Sequence, residues 1–150
     1  MTRGRIPVRA RKEADPIAEK RGLVQHYQRE PGRICDFAIM SPGMVVQVRI
    51  KCVRRLGSIG EETGRELATE ATALRIIASS REISREIWLC SPRYAWRFFR
   101  VLDSSLAELG RDGTLLPTAS PRTFILGTSQ APPGTPVDTP VHDIPRPSSP

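Results

Sequence analysis

A β-hairpin pattern in residues 34–53 constrains the fold of this chain more than any other feature. Two mostly apolar runs, ICDFAIM and MVVQVRIKCV, flank the turn sequence SPG. Proline fixes φ and glycine supplies a positive φ, so this sequence predicts a tight turn. In the second run apolar residues recur at every second position, which gives a strand one apolar face. We therefore predict two antiparallel strands, at 34–40 and 44–54.

Polar residues interrupt this pattern, and the length of the turn decides how they group. A loop with an even number of residues places Asp36 opposite Arg49, and directly opposed residues share a face of the sheet. Gln47 and Lys51 lie two residues on either side of Arg49 and point the same way. An odd loop would leave the Asp36 carboxylate on the apolar face, which is costly. We therefore expect an even loop and a cross-strand ion pair between Asp36 and Arg49.

The other secondary structure elements are predicted from capping signals and apolar spacing. An aspartate followed by proline predicts the start of a first helix, over residues 16–29. A capping box, SIGE, predicts the start of a second helix that ends near Ala78. Strands are predicted at 85–91 and 95–102, and 106–109 is a candidate for a short fifth strand. The order α-β-β-α-β-β predicts an α/β fold, with a small mixed β-sheet flanked by helices.

The net charge of +7 is unevenly distributed along the chain. Residues 1–12 carry five cations and no acid, and the charges of 117–150 cancel, which leaves +2 for residues 13–116. The 117–150 segment also contains nine of the fourteen prolines, a composition that does not bury enough apolar surface to order itself. We predict a basic flexible arm at 1–12, a single α/β domain at 13–116 and a Pro-rich disordered tail at 117–150. Such an arm suits phosphates or an acidic surface, and its simpler interpretation is a solubilising terminus.

An acid on one strand and a lysine on the next, followed by a helix and another strand, resembles the core of the PD-(D/E)XK nuclease-like superfamily. The resemblance covers roughly residues 16–102. It implies that Asp36 is the first metal-binding acid and that Lys51 is the lysine that activates water or stabilises the phosphate. Arg49 stands in the place of the second acid, which implies a degenerate member because an arginine repels Mg²⁺. If the site is active, Glu19 on the first helix is the acid that completes a Mg²⁺ site with Asp36.

Cysteines and aromatic residues are predicted to lie in the core. The three cysteines form no CxxC pair and have no zinc-ligand spacing, so we expect reduced, buried thiols in a cytoplasmic protein. The sequence contains no run of about 18 apolar residues, so no membrane span is predicted, and no membrane partner is expected. Aromatic residues interleaved with arginines also fit a stacking surface for nucleic acid, but strand aromatics more often fill a core. This prediction concerns Trp88, Trp96, Phe98 and Phe99.

The leading functional interpretation is a nucleic-acid-binding module with a degenerate nuclease-like core, without catalysis and without a cofactor. Its partner would be DNA or RNA. The alternative is a protein-interaction or structural domain with no nucleic-acid role, and the third is a Mg²⁺-dependent endonuclease. The residues expected to contact phosphates are Arg49, Lys51, Arg3, Arg5, Arg9, Arg11 and Lys12.

Overall fold

The computed structural model describes residues 8–28, 30–54, 56, 61–93 and 95–117. Within them lie two helices and six strands in the order α-β-β-β-α-β-β-β. Their bounds are α1 Val8–Glu19, β1 Leu23–His26, β2 Phe37–Ser41, β3 Met44–Cys52, α2 Glu61–Leu74, β4 Ile83–Cys90, β5 Trp96–Val101 and β6 Leu106–Leu109.

The six strands form one mixed sheet in which every strand lies beside its neighbour in sequence. All adjacent pairs are antiparallel except β3 and β4, which run parallel with Lys51 beside Leu89. Parallel neighbours need a long crossover, and α2 lies in the connection between these two strands. The predicted α/β class and mixed sheet are confirmed, as is the short strand at 106–109. The predicted order α-β-β-α-β-β is incomplete, because it lacks strand β1 and includes β6 only as a candidate.

The N-terminal helix lies earlier in the chain than predicted. It covers Val8–Glu19 rather than 16–29, with Pro16 inside it instead of at its start. A proline inside a helix lacks one amide donor and costs about 3 kcal/mol. The helix tolerates this loss because its buried face packs on the sheet, through Ala10, Ala14, Ile17 and Ala18.

Gly22 marks the change from helix α1 to strand β1. A Cβ atom at this position would lie 2.4 Å from the carbonyl oxygen of Met40 on β2, so the two backbones approach too closely for any other residue. Val24 then pairs with Ile39, and its side chain packs against the core beside α1. The apolar residues that predicted a helix in this segment therefore belong to an edge strand.

These bounds also change the predicted basic arm. Residues 8–12 belong to α1, so this part of the predicted arm is helical. Arg3 and Arg5 lie outside the described residues. The same holds for the tail beyond Pro117 and for the SIG residues of the predicted capping box at 58–60.

Each face of the sheet has its own apolar core. The face beside α1 is built around Ile17, Phe37, Val48, Trp88 and Phe98. The face beside α2 is built around Leu67, Leu74, Ile87, Phe99 and Val101. Strand alternation sends neighbouring aromatic residues of β5 to opposite cores. The core prediction is confirmed for Trp88, Phe98 and Phe99, and Trp96 packs half-buried on Phe98 with ring centroids 6.4 Å apart.

The three cysteines are free thiols, as predicted. Cys35 and Cys90 are buried, but Cys52 is exposed. The prediction of burial is wrong for Cys52, the last residue of β3, because the buried β3 residues on its face of the sheet end at Ile50.

Candidate functional site

The candidate site lies on the β2–β3 hairpin, and its register agrees with the prediction. The connecting turn has two residues between the paired strand ends, and Gly43 adopts a φ of 73°. Phe37 pairs with Val48, which places Asp36 opposite Arg49. The even loop is therefore confirmed. Because Phe37 and Val48 face the α1 core, Asp36 and Arg49 point to the other side of the sheet.

The Asp36 carboxylate is only 1% exposed, and protein donors occupy both of its oxygens. Oδ1 accepts a hydrogen bond from Nη2 of Arg33 at 2.5 Å and lies 3.8 Å from Nη1 of Arg49. Oδ2 accepts the backbone N–H of Ile50 at 2.7 Å. The predicted Asp36–Arg49 ion pair is confirmed, but Arg33 is the closer cation. The sequence pattern missed Arg33 because this residue precedes strand β2 and follows no alternation.

The two arginines are held in place by backbone carbonyls as well as by Asp36. Arg33 donates to the carbonyl oxygens of Tyr27 and Gln28, at 3.3 and 3.1 Å. Arg49 donates to the carbonyl oxygen of Arg33 at 3.2 Å. Two guanidinium groups therefore share one carboxylate, and the Arg33–Asp36–Arg49 cluster carries one excess positive charge. Both side chains are about one fifth exposed, so an anion in solution can reach their outer edges.

Lys51 shares the face of Arg49 but reaches a different partner. Its ammonium group lies 2.9 Å from the carboxylate of Glu70 on α2 and donates to the carbonyl oxygen of Glu66. Gln47, two residues before Arg49, accepts a hydrogen bond from the Tyr27 hydroxyl at 2.9 Å. The predicted grouping on one face is confirmed, and each polar side chain on it is engaged by a neighbouring element. Glu70 therefore neutralises the charge of Lys51, whereas the Arg33–Asp36–Arg49 cluster keeps one excess positive charge.

The predicted metal pair, Asp36 and Glu19, is not brought together. Glu19 is the last residue of α1, which packs on one face of the sheet, and Asp36 points to the opposite face. The sheet itself therefore separates the two carboxylates. Among the described residues, no three His, Cys, Asp or Glu side chains are grouped closely enough to hold a metal ion.

The cations of the predicted arm that the structure describes lie on α1. The Arg9 side chain is 70% exposed and lies 3.7 Å from Glu13, while Lys12 is exposed. Arg11 is half-buried and donates to Nδ1 of His26 at 3.3 Å. Arg9 and Lys12 therefore present positive charge to solvent, whereas Arg11 fastens the helix to strand β1.

A second buried ion pair, which the sequence did not predict, lies on the α1 side of the sheet. Arg21 donates two hydrogen bonds to the Glu86 carboxylate, at 2.8 and 2.9 Å, and its guanidinium lies over the Trp88 ring. Glu86 also accepts from the Trp88 indole N–H at 2.9 Å, and its side chain is fully buried. The available signal was an acid on the same strand face as Trp88, since a buried carboxylate requires a partner.

Two further findings concern membrane spans and similarity to known proteins. No helix in the described parts of the chain is long and apolar enough to cross a membrane. Comparison with protein-family models, with curated proteins and with solved structures gives no significant match.

Proposed function

We propose that this protein is a nucleic-acid-binding module that contacts phosphates through its N-terminal cations and has a nuclease-like core without catalysis. The observation that carries the proposal is the exposed positive charge of Arg9 and Lys12 on α1. They continue a run from Arg3 that contains no acid through residue 12. Exposed cations at the start of a helix neutralise phosphates and release counterions on binding.

The Arg33–Asp36–Arg49 cluster supports a second contact with phosphate. Its single excess positive charge and the partial exposure of both guanidinium groups suit a phosphate oxygen at the sheet surface. Arginine binds phosphate through two parallel N–H donors, which a fixed guanidinium presents at low entropic cost. Lys51 contributes less to this contact, because Glu70 already neutralises it.

The arrangement of the elements supports a nuclease-like core. The β2–β3 hairpin is followed by α2 and then by β4, which pairs in parallel with β3. This is the order of acid-bearing strand, lysine-bearing strand, helix and strand on which the resemblance rests. Asp36 and Lys51 lie on one face of that hairpin, an arrangement that supports the resemblance.

The contacts of these two residues support binding without catalysis. Arg33, Arg49 and the Ile50 amide occupy the Asp36 carboxylate, so a metal ion would have to displace all of them. A single carboxylate beside two guanidinium groups is a poor Mg²⁺ ligand set. Lys51 is paired with Glu70 and is not directed at an open phosphate position.

A binding experiment with charge-matched variants tests the proposal. Fluorescence anisotropy should detect binding of labelled single-stranded DNA, duplex DNA or RNA at low salt. The Arg9→Ala/Lys12→Ala variant should bind several-fold more weakly than the wild type. The control is Arg81→Ala/Arg93→Ala, which removes the same charge from exposed residues beside β4.

Two outcomes would contradict the proposal. The absence of binding to all three nucleic acids at low salt would reject it and favour a protein-interaction domain. Mg²⁺- or Mn²⁺-dependent cleavage that disappears in Asp36→Ala would reject the non-catalytic part and indicate an endonuclease.

A further inference from the structure

A cavity on the α1 side of the sheet has the size of a small-molecule site. It has a volume of about 580 Å³ and opens between the end of α1, the β2–β3 turn and the loop after β6. Binding sites for small ligands have volumes of roughly 300–1,000 Å³ and mostly apolar walls. The floor of this cavity is formed by Ile17, Ile39 and Val46, all of which are buried. The cavity can therefore accept the apolar body of a small molecule.

The rim of the cavity is positively charged. Among the described residues, four cations line it, namely Lys20, Arg21, Arg100 and Arg111, together with one acid, Asp112. Arg21 is neutralised by Glu86, and the Asp112 carboxylate accepts the amide and hydroxyl of Thr114 at 3.1 and 2.7 Å. With Glu86 and Asp112 both counted, two positive charges remain uncompensated at the rim.

Three of these cations are available to a ligand. Lys20 and Arg111 are exposed, and neither is paired with an acid among the described residues. Arg100 is half-buried and donates from Nη2 to the carbonyl oxygen of Gly113 at 3.2 Å, and it forms no ion pair with an acid among the described residues. Its guanidinium therefore carries a charge that an anionic oxygen in the cavity would compensate.

We propose that this cavity binds a small organic anion. A phosphate or carboxylate group would lie at the rim between Lys20, Arg100 and Arg111, and an apolar body would lie on the floor of Ile17, Ile39 and Val46. The charge of the rim selects for an anion, and the apolar floor selects against inorganic ions. The site is independent of the proposed nucleic-acid contacts at Arg33 and Arg49, which lie on the opposite face of the sheet.

Isothermal titration of the full chain with three probes tests this proposal. Octanoate carries a carboxylate on an aliphatic body, adenosine monophosphate carries a phosphate on a planar body, and inorganic phosphate has no body. We expect saturable binding of one of the two organic anions at one site per chain, and weaker binding of inorganic phosphate. The tighter organic anion identifies which combination of head group and apolar body the cavity prefers.

Two kinds of variant test the charge of the cavity rim and the space inside the cavity separately. Lys20→Ala and Arg111→Ala should each weaken that binding about tenfold, the effect of one charge-assisted hydrogen bond. Ser41→Phe, at the half-buried cavity wall, should abolish binding by filling the space without removing a cation. Arg93→Ala, an exposed cation outside the cavity, should change nothing.

The proposal is overturned if neither organic anion shows saturable binding, or if inorganic phosphate binds as tightly as they do. Unchanged affinity in both Lys20→Ala and Arg111→Ala would overturn it as well. Because both residues are exposed, these two variants are expected to fold, and their thermal unfolding curves check this directly.

Discussion

Asp36 faces Arg49 across the β2–β3 hairpin, yet its closest cation is Arg33, which lies three residues before it in sequence. Oδ1 of Asp36 is 2.5 Å from Nη2 of Arg33 and 3.8 Å from Nη1 of Arg49. One buried carboxylate thus joins the start of β2 to the middle of β3. Asp36 therefore has a structural role in this hairpin.

Replacing Asp36 with Asn should therefore destabilise the fold. The amide keeps an acceptor for the Ile50 amide but leaves Arg33 and Arg49 without a counter-charge. Breaking a buried pair costs about 3–5 kcal/mol, and the partial exposure of both arginines lowers the expected loss to about 2–4 kcal/mol. Urea unfolding measures this loss.

The matched control for this variant is Glu13→Gln. Glu13 also pairs with an arginine, Arg9, at 3.7 Å, but both side chains of this pair reach solvent, with 34% and 70% exposure. An exposed pair contributes at most about 1 kcal/mol. Equal losses in the two variants would contradict the structural role of Asp36.

The Arg21–Glu86 pair should show strong coupling in a double-mutant cycle. Glu86 is fully buried and Arg21 nearly so, so each single substitution leaves the other charge buried and unpaired. We expect Arg21→Met and Glu86→Gln to cost about 3–5 kcal/mol each, and the double variant to cost clearly less than their sum. Glutamine retains an acceptor for the Trp88 indole. Additive losses in urea unfolding would show that the two charges do not depend on each other.

Substitution of Gly113 should destabilise the fold more than substitution of Gly43, although both glycines adopt a positive φ. A Cβ at Gly113 would lie 2.3 Å from Nη2 of Arg21, whereas a Cβ at Gly43 meets nothing within 4 Å. Arg21 cannot move aside easily because Glu86 holds it. Gly43→Ala should cost only the backbone strain, about 1–2 kcal/mol, and Gly113→Ala should cost more.

The same pair of variants in an Arg21→Met background isolates the steric contribution. Without the guanidinium, the two glycine substitutions should cost similar free energies of unfolding. If the excess cost of Gly113→Ala persists in that background, contact with Arg21 is not its cause.

The cysteines should differ in reactivity. Burial, reinforced by the Asp36 carboxylate, raises the pKa of Cys35 to about 11, and burial raises the pKa of Cys90 to about 11. Because thiolates are the reactive form, both thiols should resist alkylation at pH 8. Partial desolvation also raises the pKa of Cys52, but this thiol still reaches solvent. Mass spectrometry after iodoacetamide treatment should therefore find one label in the native protein and three labels in urea. The native label should be absent in Cys52→Ser. Rapid labelling of Cys90 in the native protein would contradict this account.

Alternation and turn chemistry were enough to predict the hairpin and its register. Pro42-Gly43 fixed the turn, and the apolar positions of β3 fixed the face of Arg49. The bounds of the first helix were mispredicted because a proline such as Pro16 is typical of a helix start. Strand β1 was missed because the close approach of Gly22 to β2 is a tertiary contact. Arg33 was missed for a similar reason, since its contact with Asp36 depends on how the chain enters β2.

Local sequence patterns also do not predict the Arg21–Glu86 pair on the other face of the sheet. Arg21 and Glu86 are 65 residues apart, and only the folded sheet brings them together. Glu86 offered a signal through its position on an apolar strand, but nothing in the sequence selected Arg21 among the many arginines. Local spacing predicts faces and turns, whereas partners across the sheet depend on topology.

The salt dependence of nucleic-acid binding tests the central proposal most directly. Each phosphate contact contributes about 0.7–0.9 to the slope of log K against log salt concentration. For the full chain we predict a linear decrease in log K, and for Arg9→Ala/Lys12→Ala a slope smaller in magnitude by about 1.4–1.8. The Arg81→Ala/Arg93→Ala control should keep the wild-type slope. An Arg9→Ala/Lys12→Ala slope equal to that of the wild type would contradict the proposal that the α1 cations contact phosphates.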